Sequence, residues 1–271
     1  MSQDTQRDQL SKKRVVHTVP GMEAVPVRRD EPYRVTDAGP LTMDLYYPPD
    51  SKAGARTPAV IFVTGFSDLS AEKMLGSQFK DMGSFVSWAQ LVAISGLAGI
   101  TYANREPGDV HEVLLYLQQN AASLGIDENR IGVWACSGHG PNALSVLMDH
   151  GRDGLGCAVL AYPYTLDLDG SISIAEAAKQ FRFVTPAAGK SVNGLPPDLP
   201  LFVARAGLDQ MPGLNDALDR FVGAALAANL PVTLVNHATG RHAFDVFDDT
   251  KPSRDIVKRI LAFLHLHLSA A

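Results

Sequence analysis

The tightest constraint on this chain is a series of short apolar runs, PAVIFVTG (58–65), AGITYA (98–103), RIGVWAC (130–136), GCAVLAY (156–162) and PLFVARA (200–206). Runs that are apolar at successive positions, rather than alternate ones, belong to strands buried on both faces. PVTLVNH (231–237) reads as a further strand, and MDLYYP (43–48) alternates like a half-buried antiparallel one. Helical spacing fills the gaps. GSFVSWAQLVAISG (83–96) places Phe85, Trp88, Leu91 and Val92 together and stops at Ser95-Gly96. Asp109 to Leu124 puts Val113, Leu114, Leu117 and Ala121 on one face. Gly140 to Met148 opens on Pro141, where a missing N–H costs nothing. Gly213 to Leu226 carries Leu214, Leu218, Phe221 and Val222 on one stripe, and a last helix runs from Pro252 to about Leu268. Strands alternating with helices of this length predict βαβ units and an α/β fold with a mostly parallel sheet, covered on both faces.

No repeat and no linker interrupts the rhythm, so residues 23–271 are expected to form a single domain. Residues 1–22 are polar and unpatterned and read as a flexible arm. The longest irregular stretch, 165–199, holds a weak helix at Ile174 to Phe181 and the segment GKSVNGLPPDLP, the features of a lid or binding loop. A formal charge of −5 with no long basic run argues against a nucleic-acid partner. The N-terminus lacks the apolar core of a secretory signal, and no apolar run reaches the roughly 18 residues of a membrane span, so a cytoplasmic location away from membranes is expected. Cys136 and Cys157 make neither metal spacing nor a disulfide framework, and Cys157 reads as a small core residue. No histidine pair has ligand spacing with a carboxylate, so no metal site is expected.

The stretch WACSGHGPNA (134–143) joins a strand to a helix at a carboxyl end, where parallel sheets place their chemistry. It offers two nucleophiles in a row, Cys136 and Ser137. A sharp elbow there exposes its central side chain in a strained pose and needs small residues two before and two after. Centred on Ser137 those positions are Ala135 and His139; centred on Cys136 they are Trp134 and Gly138. Tryptophan is the worse violation, because that position packs against neighbouring strands. Parity agrees: Trp134 and Cys136 share one face of the strand, and Ser137 begins the turn. A degraded G-x-S-x-G is a weak signal alone, and a plain strand-to-helix turn would produce it too.

Two downstream segments strengthen the serine reading. A serine hydroxyl needs a base, and the base an orienting acid, which follow in the order serine, acid, histidine in folds with this elbow. ARAGLDQMPGLN places Asp209 just past the strand 200–206, and NHATGRHAFD places His242 in the loop after 231–237. Asp216 and Asp219 fall on the following helix and His237 at the strand end, so they are weaker candidates. Oxyanion donors are expected from the Gly138 N–H and from the Phe66 N–H, where Gly65 permits a close approach. Gly65, His139 and Met211 are candidates to line the substrate pocket. His139 is expected to pack against small residues of AGITYA and GCAVLAY as a neutral, hydrogen-bonded residue, the alternative being that it reaches the pocket floor.

Together VIFVTGFSD, RIGVWACSGHGPNALS, ARAGLDQMPGLN and VNHATGRHAFD resemble the α/β-hydrolase superfamily, within it the dienelactone-hydrolase-like and esterase/prolyl-oligopeptidase-like group. The resemblance spans roughly residues 40–268. It implies an eight-stranded sheet, a triad of Ser137, Asp209 and His242, an oxyanion hole at Phe66 and Gly138, and no cofactor. Dienelactone hydrolases carry cysteine where Ser137 stands, which shifts the expectation to a serine carboxylesterase acting on small esters. A lactonase, thioesterase or peptidase would use the same triad, and a non-catalytic ligand-binding homologue would keep the fold. The expected partner is a small ester; oligomeric state is unread, a homodimer being compatible with the sequence.

Overall fold

A computed structural model describes residues 9–51, 54–151 and 153–269. Its strands are β1 (Val27–Thr36), β2 (Gly39–Tyr46), β3 (Thr57–Phe62), β4 (Ala98–Tyr102), β5 (Ile126–Cys136), β6 (Leu155–Ala161), β7 (Leu201–Ala206) and β8 (Val232–His237). They form one eight-stranded sheet in the order β1-β2-β4-β3-β5-β6-β7-β8. The pairs β1·β2 and β2·β4 are antiparallel, and β4 to β8 with β3 run parallel. The main helices are α1 (Asp68–Leu75), α2 (Gly83–Ile94), α3 (Asp109–Gln119), α4 (Gly140–His150), α5 (Ser173–Phe181), α6 (Leu214–Ala227) and α7 (Lys251–Leu268).

Strand parity sorts the core. Ile61, Val133, Ala135 and Leu160 face a layer built by α3, α4 and α6, while Phe62, Trp134, Cys157 and Val159 face α2 and α7. From β3 the chain adds β4 on one side and β5 on the other. That reversal opens a crevice at the carboxyl ends of β3 and β5, the place where open α/β sheets bind ligands.

Two elements escape the apolar patterning. β1 is an edge strand whose Arg28, Arg29 and Asp30 are exposed, with register irregularities on either side of Glu31-Pro32. Charges, a proline and bulges protect a sheet edge, and they also erase the alternation by which a strand is read. α1 has few buried residues and is started by Ser67, whose side chain accepts the Ser70 N–H.

The described part of the expected arm is docked. Val15 is buried, its N–H donates to Ser87 Oγ at 2.9 Å, and the Val16 N–H donates to the Asp245 carbonyl at 2.7 Å. The backbone of Lys12 and Lys13 lies so close to Gly83 that a Cβ there would come within 2.8 Å of it. The stretch 165–199 carries α5, whose first N–H groups donate to both carboxylate oxygens of Asp167. It contributes Ile174, Ala177 and Phe183 to a small cluster with Tyr164 and Leu214.

Candidate active site

Ser137 follows β5 directly and sits at φ 49°, left-handed backbone for a residue with a Cβ. Such a conformation costs on the order of 1–3 kcal/mol and persists only where its surroundings hold it. The Tyr164 N–H donates to the Ser137 carbonyl at 3.0 Å, and α4 begins three residues on. The close approach that the elbow needs is made by Gly140: a Cβ on it would lie 2.2 Å from the Tyr164 carbonyl oxygen. Position 139 therefore need not be small.

The loops after β7 and β8 bring Asp209 and His242 to this turn. Ser137 Oγ lies 2.8 Å from His242 Nε2, and His242 Nδ1 lies 2.7 Å from Asp209 Oδ2. The Asp209 carboxylate is wholly buried, and its other oxygen accepts the Met211 N–H at 2.9 Å. A proton on Nδ1 facing that carboxylate leaves Nε2 free to accept the serine proton. Asp216 and Asp219 are exposed on α6, Asp219 pairing with Arg205. His237 is buried behind the loop, with Nε2 3.0 Å from Ser253 Oγ.

Cys136 points to the opposite face of β5 from Ala135, as parity requires, and lines the cavity below Ser137. Burial first, and the nearby Asp245 carboxylate second, push its thiol well above the ordinary range. At neutral pH it is a thiol, not the thiolate that a nucleophile needs.

Beside Ser137 lies a half-open pocket of about 210 Å³, lined by Phe79, Phe85, Trp88, Trp134 and Phe247 and, from the N-terminal segment, Leu10. His139 lines it; Gly65 and Met211 do not. Met211 packs instead beside Phe183 and Leu214.

His139 is not where small strand residues were expected to receive it. Gly99 is filled by the backbone of Ala89 and Gly156 by Leu268. The imidazole sits instead among the rings of Phe66, Phe79 and Phe85, at centroid distances of 5.0, 4.8 and 5.5 Å. Its Nδ1 accepts the Gly65 N–H at 2.8 Å. Burial alone pulls its pKa down to about 3, so the ring is neutral.

The loop after β3 is anchored at each step. Asn142 Nδ2 donates to the Thr64 carbonyl at 2.7 Å, and the Gly65 carbonyl accepts the Val184 N–H at 2.9 Å. The buried Asp68 carboxylate accepts the Asn104 and Phe79 N–H groups at 2.6 and 3.2 Å. Its burial outweighs those bonds and raises its pKa to about 6. The Phe66 ring lies over Gly138, where a Cβ would come 2.8 Å from it.

Asp245 is a buried carboxylate three residues past His242. It accepts Trp88 Nε1–H at 2.7 Å and the Tyr162 hydroxyl at 2.5 Å. Tyr162 in turn meets the His242 ring edge-on, with centroids 5.0 Å apart. An acid inside the apolar run AFDVF (243–247) is the sequence signal for it. Among the described residues no three His, Cys, Asp or Glu side chains are grouped to hold a metal ion, and no helix is long and apolar enough to cross a membrane.

No protein-family model matches the chain, and no curated protein matches it in sequence. Solved structures do match its shape. A bacterial heroin esterase superposes with a TM-score of 0.70 at 18% identity, covering 98% of this chain and 90% of that one. Esterase LipW from Mycobacterium marinum gives 0.68 at 17% identity, covering 99% and 88%. A hyperthermophilic esterase from the archaeon Pyrobaculum calidifontis gives 0.69 at 21% identity, covering 100% and 95%. The chain has the α/β-hydrolase fold, with a mostly parallel eight-stranded sheet and helices on both faces.

Proposed function

We propose that this protein is a serine hydrolase of small carboxylic esters, working through an acyl-enzyme. Ser137 attacks the ester carbonyl carbon while His242 Nε2 takes its proton. The tetrahedral oxyanion is held by the Phe66 and Gly138 N–H groups. Collapse expels the alcohol, which receives the proton from His242, and water repeats the sequence to release the acid. Asp209 holds the imidazole in the required tautomer. The observation that carries this reading is the unbroken chain Ser137 Oγ, His242, Asp209 at 2.8 and 2.7 Å, hung on a serine with left-handed backbone. The esterases that share the fold support it.

The cavity supports the word small. A dry protein cavity of about 150 Å³ holds benzene, so about 210 Å³ has room for a short acyl chain or a single ring. The test is turnover of p-nitrophenyl acetate and butyrate by the wild-type protein and by Ser137→Ala. Turnover that the substitution removes is the expected result. A folded wild-type protein that turns over neither ester would favour a ligand-binding role for the same pocket.

A further inference from the structure

Resting on that esterase reading, we propose that His139 is a positioning residue that aims the oxyanion-binding Phe66 N–H. The argument turns on Gly65. This residue has to be glycine, because a Cβ would sit 2.3 Å from the Gly138 carbonyl oxygen and 2.9 Å from His139 Cα. Glycine is also the residue whose flanking peptides rotate most freely. The loop therefore places its softest joint directly before the donor that must not move.

Both peptides at that joint are pinned from outside the loop. The Gly65 N–H donates to His139 Nδ1 at 2.8 Å, which fixes the Thr64–Gly65 plane. The Gly65 carbonyl accepts the Val184 N–H at 2.9 Å, which fixes the Gly65–Phe66 plane. In a trans peptide the C=O and the N–H point in opposite directions, so this second bond turns the Phe66 N–H away from Val184. The first pin grows from the elbow that carries Ser137 and Gly138. Nucleophile and both proposed oxyanion donors thereby move as one body, and the Gly65 N–H is taken out of contention as a donor to substrate.

The imidazole is built to accept. Three phenylalanine rings hold its plane, and its neutrality keeps the Nδ1 lone pair available. Glycine at position 139 would complete the usual elbow pattern and leave the Gly65 N–H without this acceptor.

The experiment compares His139→Leu with His139→Asn in the full chain, on p-nitrophenyl butyrate. Asparagine Oδ1 can stand where Nδ1 stands; leucine fills space and accepts nothing. Deleting an oxyanion donor costs about 10²–10³ in kcat, so a misaimed one in His139→Leu should cost at least about 30-fold. KM should stay within about threefold, and His139→Asn should return to within about tenfold of wild type. Affinity for a trifluoromethyl ketone, which forms a tetrahedral adduct, should fall with kcat, while that for the product acid should not. Equal losses in both variants, or a loss carried by KM, would overturn the proposal. Should the leucine variant not fold, the ¹⁵N spectrum of wild-type His139 still decides: an Nε2–H tautomer is expected, and a proton on Nδ1 contradicts the clamp. A wild-type protein without turnover sinks the esterase reading, whereas that spectrum tests the clamp separately.

Discussion

Two histidines flank Ser137, and their surroundings give them opposite work. His242 sits in a loop with its side chain 24% exposed, between a hydroxyl and a buried carboxylate. Both its nitrogens face groups that exchange or stabilise a proton. His139 is buried among phenylalanines at the wall of the pocket and faces a backbone N–H. A carboxylate partner makes an imidazole a proton carrier; desolvation with a single donor makes it a fixed acceptor. On the proposed reading the same side chain is reagent in one place and scaffold in the other.

That contrast is broken or sharpened by experiments of decreasing effect. His242→Ala should lower kcat by about 10⁴–10⁶, as loss of the base does in other triads, far beyond any substitution at His139. A smaller loss at His242 than at His139 would invert the assignment. Asp209→Asn should come next, at roughly 10³–10⁴ in kcat with the fold retained, because the amide favours the wrong imidazole tautomer. Circular dichroism alongside kinetics separates this from unfolding, and a greater loss from Asp216→Asn would name a different acid.

Cys136→Ala should leave kcat/KM within about tenfold, consistent with a thiol that burial keeps protonated. Iodoacetamide at pH 8 should leave activity largely intact over the time in which an exposed thiol reacts fully. The smallest effect contrasts His139 with Asp68. Asp68 has its folded pKa raised to about 6 by burial, so the folded state binds that proton more tightly than the unfolded chain. Its contribution to stability therefore falls as pH rises from about 4 to 6 and is flat above about 7. Denaturant titrations should show the wild type losing stability relative to Asp68→Asn across that window. A relative gain there would contradict the burial argument.

How much could be read in advance follows the same physics. Strands β3 to β7 announced themselves because burial on both faces demands apolar residues throughout. β1 did not, because its Arg28, Arg29 and Asp30 meet solvent at the edge. Ser137, Asp209 and His242 could be nominated because each lies just past a legible strand, and the order serine, acid, histidine is the one expected of a triad on this fold. The surroundings of His139 could not, since Phe66, Phe79 and Phe85 arrive from more than fifty positions away. The contacts of residues 9–22 were hard to read for a related reason. They comprise backbone N–H groups, from Val15 to Ser87 and from Val16 to Asp245, and two isolated buried side chains, Val15 and Met22, too few to make an apolar pattern. The stretch 165–199 read as a lid or binding loop; its Val184 N–H and Phe183 ring meet Gly65 and Gly138, contacts with no sequence pattern of their own.

The central claim is that Ser137, and not its neighbour Cys136, forms the covalent bond. A fluorophosphonate that mimics the ester, followed by peptide mass spectrometry, tests it directly. One adduct on Ser137 is predicted, absent in Ser137→Ala, present in Cys136→Ala, and appearing at the rate at which activity disappears. An adduct on any other residue, or full inactivation with Ser137 unmodified, would contradict the account.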